Sequence, residues 1–247
     1  HVFIVAGQSN AQGWQGDAAF YPKDSTQADK NIRFYWQTPG YSSSAGKWTT
    51  LRAQGGRFRN GHFGPEVTFA RSLKSKGYNP AIFKYTLGST SLANNWKRPG
   101  HDGMYDQMVK ELAHALSLLA KDGHEVGVRG FVWIQGESDA QTAAMAGAYE
   151  GALKSLIVDL RKNVTKTAKL PTILGVDEQH PWVKKNGAVV HAQKMLAEAD
   201  PQITFTTMMG LEKADGTHLT PGGLEKHGEV IFNAYMNMTK DQSRLVH

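Results

Sequence analysis

The chain has 247 residues, 40% of them hydrophobic, enough for a sizeable core in one α/β domain spanning 1–247. It contains no cysteine, which excludes disulfides, thiolate metal sites and a cysteine nucleophile. The net charge of +6 is scattered, without a basic block, a zinc-finger spacing or an RNA-binding signature, so no nucleic-acid partner is expected.

In chain order, the apolar run Val2–Ala6 reads as a buried strand, and 13–64 as irregular, rich in Gly, Ser and aromatics. Pro65–Lys76 reads as a helix, Ala81–Leu87 as a strand, and Tyr105–Lys121 as a helix with Met108, Leu112, Ala115 and Leu119 on one face. Gly130–Ile134 is the next strand, Ala143–Val164 a long helix, Thr172–Val176 a strand, Gly187–Ala199 a helix and Ile203–Thr207 a short strand. Thr220-Pro221 is a helix start, Thr as N-cap and Pro at the first helical position, for a closing helix to Met238. Strands alternating with helices predict a parallel sheet of about five strands with helices on both faces. No repeat or linker interrupts the pattern. No apolar run reaches the roughly 20 residues of a membrane helix, so no membrane partner is expected. The chain opens directly on a strand, so an upstream segment is expected to have been removed, with a secreted or periplasmic location.

Ligands of an open parallel sheet bind beyond the carboxyl ends of its strands. Four Gly-bearing polar segments fall there or before the last helix: Gly7-Gln8-Ser9-Asn10, Gly88-Ser89-Thr90-Ser91, Gln135-Gly136-Glu137-Ser138-Asp139 and Asp215-Gly216-Thr217-His218. A serine alcohol becomes a nucleophile when a base lies within hydrogen-bond reach and a third group orients that base. Asp215 and His218, three residues apart around a glycine, have the spacing of such an orienter and base. Backbone N–H groups at Ser9 and Gly88, and the side-chain amide of Gln135, are candidate donors to an oxyanion. Taken singly, each of these residues is also an ordinary turn or strand-end residue. Ser138 is a rival nucleophile, because Gly136-Glu137-Ser138-Asp139-Ala140 nearly matches the G-x-S-x-G elbow. Against it, Ala140 replaces the last glycine and two carboxylates flank the serine.

The ordered set resembles the SGNH hydrolases, in the branch of the sialate O-acetylesterases and acetylxylan esterases, carbohydrate esterase family six. Gly7-Gln8-Ser9-Asn10 resembles the branch's first block, and Trp133-Ile134-Gln135-Gly136-Glu137-Ser138-Asp139 its W-x-Q-G-E-x-D block. Leu87-Gly88-Ser89-Thr90-Ser91-Leu92 resembles its G-G-T-S-L block, with Ser89 where a second glycine is common. Asp215-Gly216-Thr217-His218-Leu219 resembles the closing D-x-x-H block, and Phe63-Gly64-Pro65-Glu66 also fits.

The resemblance implies a flavodoxin-like three-layer α/β/α fold and a serine esterase that removes acetyl groups from a carbohydrate through an acetyl-serine. Acetylated xylan or a related polysaccharide is the expected substrate, with sialic acid and simple short-chain esters as alternatives. A carbohydrate-binding domain on an inactive hydrolase fold is a more remote one. The resemblance implies Ser9 as nucleophile, His218 as base and Asp215 as orienter. It implies Ser9, Gly88 and Gln135 as the oxyanion hole, and Gln8, Asn10, Glu137 and Asp139 as residues that organise the site. No metal or organic cofactor is implied. Trp14, Trp36, Trp48 and Trp96 fall in segments expected near the active edge, and Trp96 and Trp14 are the candidates to meet sugar.

Overall fold

The computed structural model describes residues 1–244, with side chains to Lys240; the last three positions of the single domain expected over 1–247 lie outside the described residues. Strands β1 (Val2–Gly7), β2 (Arg33–Thr38), β3 (Ser42–Ser43), β4 (Thr49–Thr50), β5 (Ala81–Thr86), β6 (Val128–Ile134), β7 (Thr172–Val176) and β8 (Ile203–Thr207) form one sheet. Its order is β3-β2-β5-β1-β6-β7-β8, with β4 also pairing to β2. All pairings are parallel except those of the two-residue strands β3 and β4 with β2. From β5 to β8 the order, renumbered along the chain, is the 2-1-3-4-5 of a doubly wound flavodoxin-like sheet.

The expected sheet of about five strands is thus one parallel strand short. Strand β2, Arg33-Phe34-Tyr35-Trp36-Gln37-Thr38, lies inside the segment read as irregular. It pairs along β5 and carries β3 and β4 on its outer side. Its central residues are buried on both faces, so it lacks the alternation that marks a half-exposed strand.

The helices are α1 (Ser9–Gln12), α2 (Glu66–Ser75), α3 (Met104–Lys121), α4 (Ala143–Asp159), α5 (Pro181–Lys185), α6 (Ala188–Ala199) and α7 (Pro221–Arg244). The helix expected over Ala143–Val164 changes to a π-type turn at Leu160–Val164. Two apolar layers follow from the two-residue period of the strands. Val2, Ile4 and Ala6 of β1 point into the layer covered by α3, α4 and α6, with Leu112, Leu153 and Val189. Phe3 and Val5 point into the layer covered by α2 and α7, with Val67, Leu73, Leu224 and Ile231. No helix among the described residues is long and apolar enough to cross a membrane.

One polar residue breaks the second layer. Lys84 of β5 is in register with Val5, and its side chain is fully buried. Its Nζ donates to Glu66 Oε2 at 2.7 Å and to the carbonyl of Gln12 at 3.0 Å. Glu66 Oε1 also accepts from Gly64 N and Gln54 Nε2. A charge left alone there would cost several kcal/mol, and this set of donors and acceptors is what makes it tolerable.

Candidate active site

The polar turns meet at the carboxyl edge of β1, β5 and β6. Gly7 ends β1 at φ +141, and a Cβ there would lie 2.0 Å from the carbonyl oxygen of Ile134, so only glycine fits. The chain then turns directly into α1, whose first residue is Ser9, largely buried at 8% exposure.

The neighbours of Ser9 in sequence hold the surrounding loops. Gln8 Oε1 accepts from Gln135 Nε2 (3.3 Å), Gly136 N (3.4 Å) and Ser138 N (3.3 Å). Asn10 clasps the loop before α7: its Nδ2 donates to Thr217 O at 3.1 Å, and its Oδ1 accepts from Leu219 N at 3.1 Å. These two bonds fall on either side of His218 and pin the histidine's backbone to the residue after Ser9.

His218 Nδ1 lies 2.9 Å from Asp215 Oδ2 and 3.1 Å from Oδ1. Asp215 Oδ1 also accepts from the backbone N–H groups of Thr217 (2.7 Å) and His218 (2.8 Å), and Gln15 Nε2 donates to Oδ2 at 3.3 Å. Partial burial raises the Asp215 pKa, but bonds from His218, from the Thr217 and His218 backbone and from the Thr217 hydroxyl outweigh it. The carboxyl is held well below its ordinary range. A carboxylate fixed in this way keeps the proton of the neutral imidazole on Nδ1 and leaves Nε2 free to accept.

Gly88 packs against the serine, since a Cβ on it would stand 3.5 Å from Ser9 Cβ. Its N–H, however, is donated to Gln12 Oε1 at 2.9 Å. Gln12 is fully buried, and its Nε2 has no partner among the described residues. Sequence reading missed this residue. The available signal was its place in the short turn after Ser9, one helical step from the nucleophile position.

The amide of Gln135 points elsewhere than expected. It is fully buried, and Nε2 donates to Asp139 Oδ2 (2.6 Å), to Thr90 O (3.0 Å) and to Gln8 Oε1 (3.3 Å). Both amide protons are therefore engaged in tying loops together, and none is presented to a ligand, which corrects the oxyanion role read for it. Asp139 carries the tie further, accepting from Leu92 N at 2.7 Å and Ala93 N at 2.9 Å. Glu137 Oε1 accepts from Asp177 N at 3.0 Å, joining the ends of β6 and β7. Burial pushes the Glu137 carboxyl up to about 7, against two backbone N–H groups and the Lys213 charge that favour ionisation. Ser138 lies in the same turn, its backbone N–H donated to Gln8 Oε1.

Of the four tryptophans, Trp96 and Trp36 are buried and Trp48 is half-buried. Trp96 is fully buried, edge-on to Trp133 at 4.7 Å, with Nε1 donating to the Thr90 hydroxyl. It presents no face to a sugar, which corrects the expectation for it. Trp36 stacks on Phe34 within β2, and Trp48 packs on Tyr35 with its Nε1 bonded to Ala115 O on α3. Trp14 alone stays at the edge. Half-buried, its ring lies 6.3 Å from that of His218 and 6.1 Å from Tyr41, which is 54% exposed. Among the described residues no three His, Asp or Glu side chains come together as metal ligands would.

A family model described as carbohydrate esterase, sialic acid-specific acetylesterase, matches residues 1–237. No curated protein matches the chain. Among solved structures, the chain is similar to a protein from Arabidopsis thaliana, at 22% identity and a TM-score of 0.69, over 96% of this chain and 97% of that one. It is similar to NanS at 16% identity and a TM-score of 0.69, over 98% of each chain. A carbohydrate acetylesterase from Xanthomonas citri matches at 19% identity and a TM-score of 0.63, over 94% of this chain and 55% of that one. At these identities the likeness to the structures is one of fold.

Proposed function

We propose, from the premise that this chain belongs to the carbohydrate esterase family of sialic acid-specific acetylesterases, that Ser9, His218 and Asp215 carry out its hydrolysis of carbohydrate acetyl esters. The observation that carries this reading is the double clasp of Asn10 on Thr217 and Leu219, which ties the loop bearing the bonded Asp215–His218 pair to the residue after Ser9.

His218 Nε2 takes the Ser9 proton as Ser9 Oγ attacks the acetyl carbonyl carbon. The carbonyl oxygen becomes an oxyanion facing the backbone N–H groups of Ser9 and Gly88. The N–H of Gly88 is engaged by Gln12 Oε1, so the oxyanion has to share it or take Gln12's place. When the tetrahedral species collapses, the sugar oxygen leaves with the proton from His218. Water, deprotonated by His218, then attacks the acetyl-Ser9, and acetate departs. Gln8, Gln135, Glu137 and Asp139 act as positioning residues that hold the β1, β5 and β6 loops in register.

An acetylated xylan or a related polysaccharide is the substrate assigned. What supports a sugar is the open aromatic corner of Trp14 and Tyr41 next to His218. Labelling with an organophosphonate should modify Ser9, and Ser9→Ala should lose about 10⁴–10⁶ in kcat. Modification of Ser138 instead, or near-wild-type turnover by Ser9→Ala, overturns the assignment. Acetate release from a panel of acetylated glycans checks the substrate.

A further inference from the structure

We infer that Arg57 forms, with Trp14, a subsite for a carboxylate on the glycan, so that the preferred substrate is an acidic polysaccharide bearing a uronate close to the acetylated sugar. This rests on the esterase reading above and specifies its substrate.

The Arg57 guanidinium lies over the Trp14 ring, 4.1 Å from its centroid, and its Nε donates to Trp14 O at 3.1 Å. Trp14 in turn is the aromatic neighbour of His218. One ring therefore separates the guanidinium from the proposed base, and a sugar resting at that corner meets both. Arg57 is exposed, and no carboxylate pairs with it within ion-pair distance among the described residues. Its backbone sits at φ 38, unusual for a side chain with a Cβ, in a turn opened by Gly55 and Gly56. Arginine is suited to this task because its planar fork binds a carboxylate with two parallel N–H···O bonds, and here only Nε is committed.

Local charge points the same way. Between Asp29 and Glu66 the chain has no acidic residue, while Lys30, Arg33, Lys47, Arg52, Arg57 and Arg59 are all basic. Arg57 and Arg59, both exposed, stand in the turn that lays a guanidinium on Trp14. A neutral glycan could only accept hydrogen bonds from the guanidinium through its hydroxyls, whereas an acidic one would in addition be drawn in and oriented by charge. The carboxylate could belong to a uronate within a polymer or to a free acidic sugar, and the test separates them.

The experiment measures kcat/KM for acetate release from three probes. They are an acetylated glucuronoxylan oligosaccharide, the same oligosaccharide with its carboxyl groups reduced to alcohols, and O-acetylated sialic acid. Wild-type enzyme should favour the first over the second by about tenfold, mainly through KM, and the ratio should shrink in added salt. In Arg57→Gln the ratio should fall to about one, and Arg57→Lys should recover part of it. Because the ratio compares two substrates on one protein, a general loss of folding or catalysis cancels. A ratio near one in wild type, or one that survives in Arg57→Gln, overturns the subsite. Sialic acid outpacing the glucuronoxylan probe overturns the polymer uronate. Absence of acetate release from all three probes, and from nitrophenyl acetate as a simple control ester, would instead bring down the esterase reading itself.

Discussion

Gln135 shows how one side chain can be read correctly for place and wrongly for task. Following β6, it arrives at the carboxyl edge next to Gln8, where an oxyanion donor would be useful. A primary amide has two N–H groups, and here the Asp139 carboxylate and Thr90 carbonyl take both in a fully buried setting. Gln135→Ala removes the buried donor shared by Asp139 Oδ2 and Thr90 O, at a cost of about 1–3 kcal/mol. We expect its thermal midpoint and kcat to fall together. A stable Gln135→Ala protein with a selective loss in kcat would restore the oxyanion role. Ser89 makes a related point. It stands at φ 59, in the left-handed region, where glycine would fit without strain.

Among the elements, β5 and the start of α2 are joined by the buried Lys84–Glu66 pair, and the same Lys84 reaches the carbonyl of Gln12 at the end of α1. The pair therefore braces the four-residue helix that begins with Ser9. Burial pulls the Lys84 pKa below its ordinary value, and the Glu66 charge opposes that pull. Lys84→Met strands the Glu66 carboxylate in an apolar layer and should cost about 3–5 kcal/mol. Adding Glu66→Gln should recover much of it, since two neutral groups are then buried in place of one charge. Urea unfolding of the two single variants and the double variant checks this. Strict additivity of the two single losses would show that the side chains do not act as a pair.

For the molecule as a whole, the buried ionisable groups set opposed responses to pH. Burial lowers His227 to about 4, and burial with the charges of Lys84 and Arg57 lowers His62 to about 3. A group with a depressed native pKa contributes stability that is present above its unfolded value, 6.5 for histidine, and is lost as pH falls through the native one. Glu137, raised to about 7, works the other way: its contribution is complete below 4.5 and disappears as pH rises through 7. Acidification from 6.5 to 4 should therefore cost wild type roughly 3 kcal/mol more than it costs His227→Met. Glu137→Gln should gain on wild type as pH rises from 4.5 to 7. Thermal midpoints across that range test both signs, and parallel pH curves for wild type and either variant would contradict them.

What the sequence determined by itself is what short-range order carries. Apolar strands, helix periods and the Thr220-Pro221 start are local, so strands β5 to β8, helices α3, α4 and α6 and the start of α7 were legible to within a few residues, while the five-residue α5 was not read and α7 runs on past Met238 to Arg244. The motifs were legible because each needs only a few neighbouring residues: a glycine where no Cβ fits, a serine after a strand, an Asp three residues before a His. Tertiary structure alone decided the rest. Strand β2 exists because β5 offers it an edge, a pairing about fifty residues away that leaves no period in the chain. Whether a tryptophan is core or surface depends on what packs over it, so Trp96 and Trp14 looked alike until the helices were in place. Gln12 taking the Gly88 N–H, Gln135 facing Asp139, Lys84 finding Glu66 and Arg57 lying on Trp14 are all contacts between segments distant in sequence. Their geometry is set by the packing of the whole sheet and its helices.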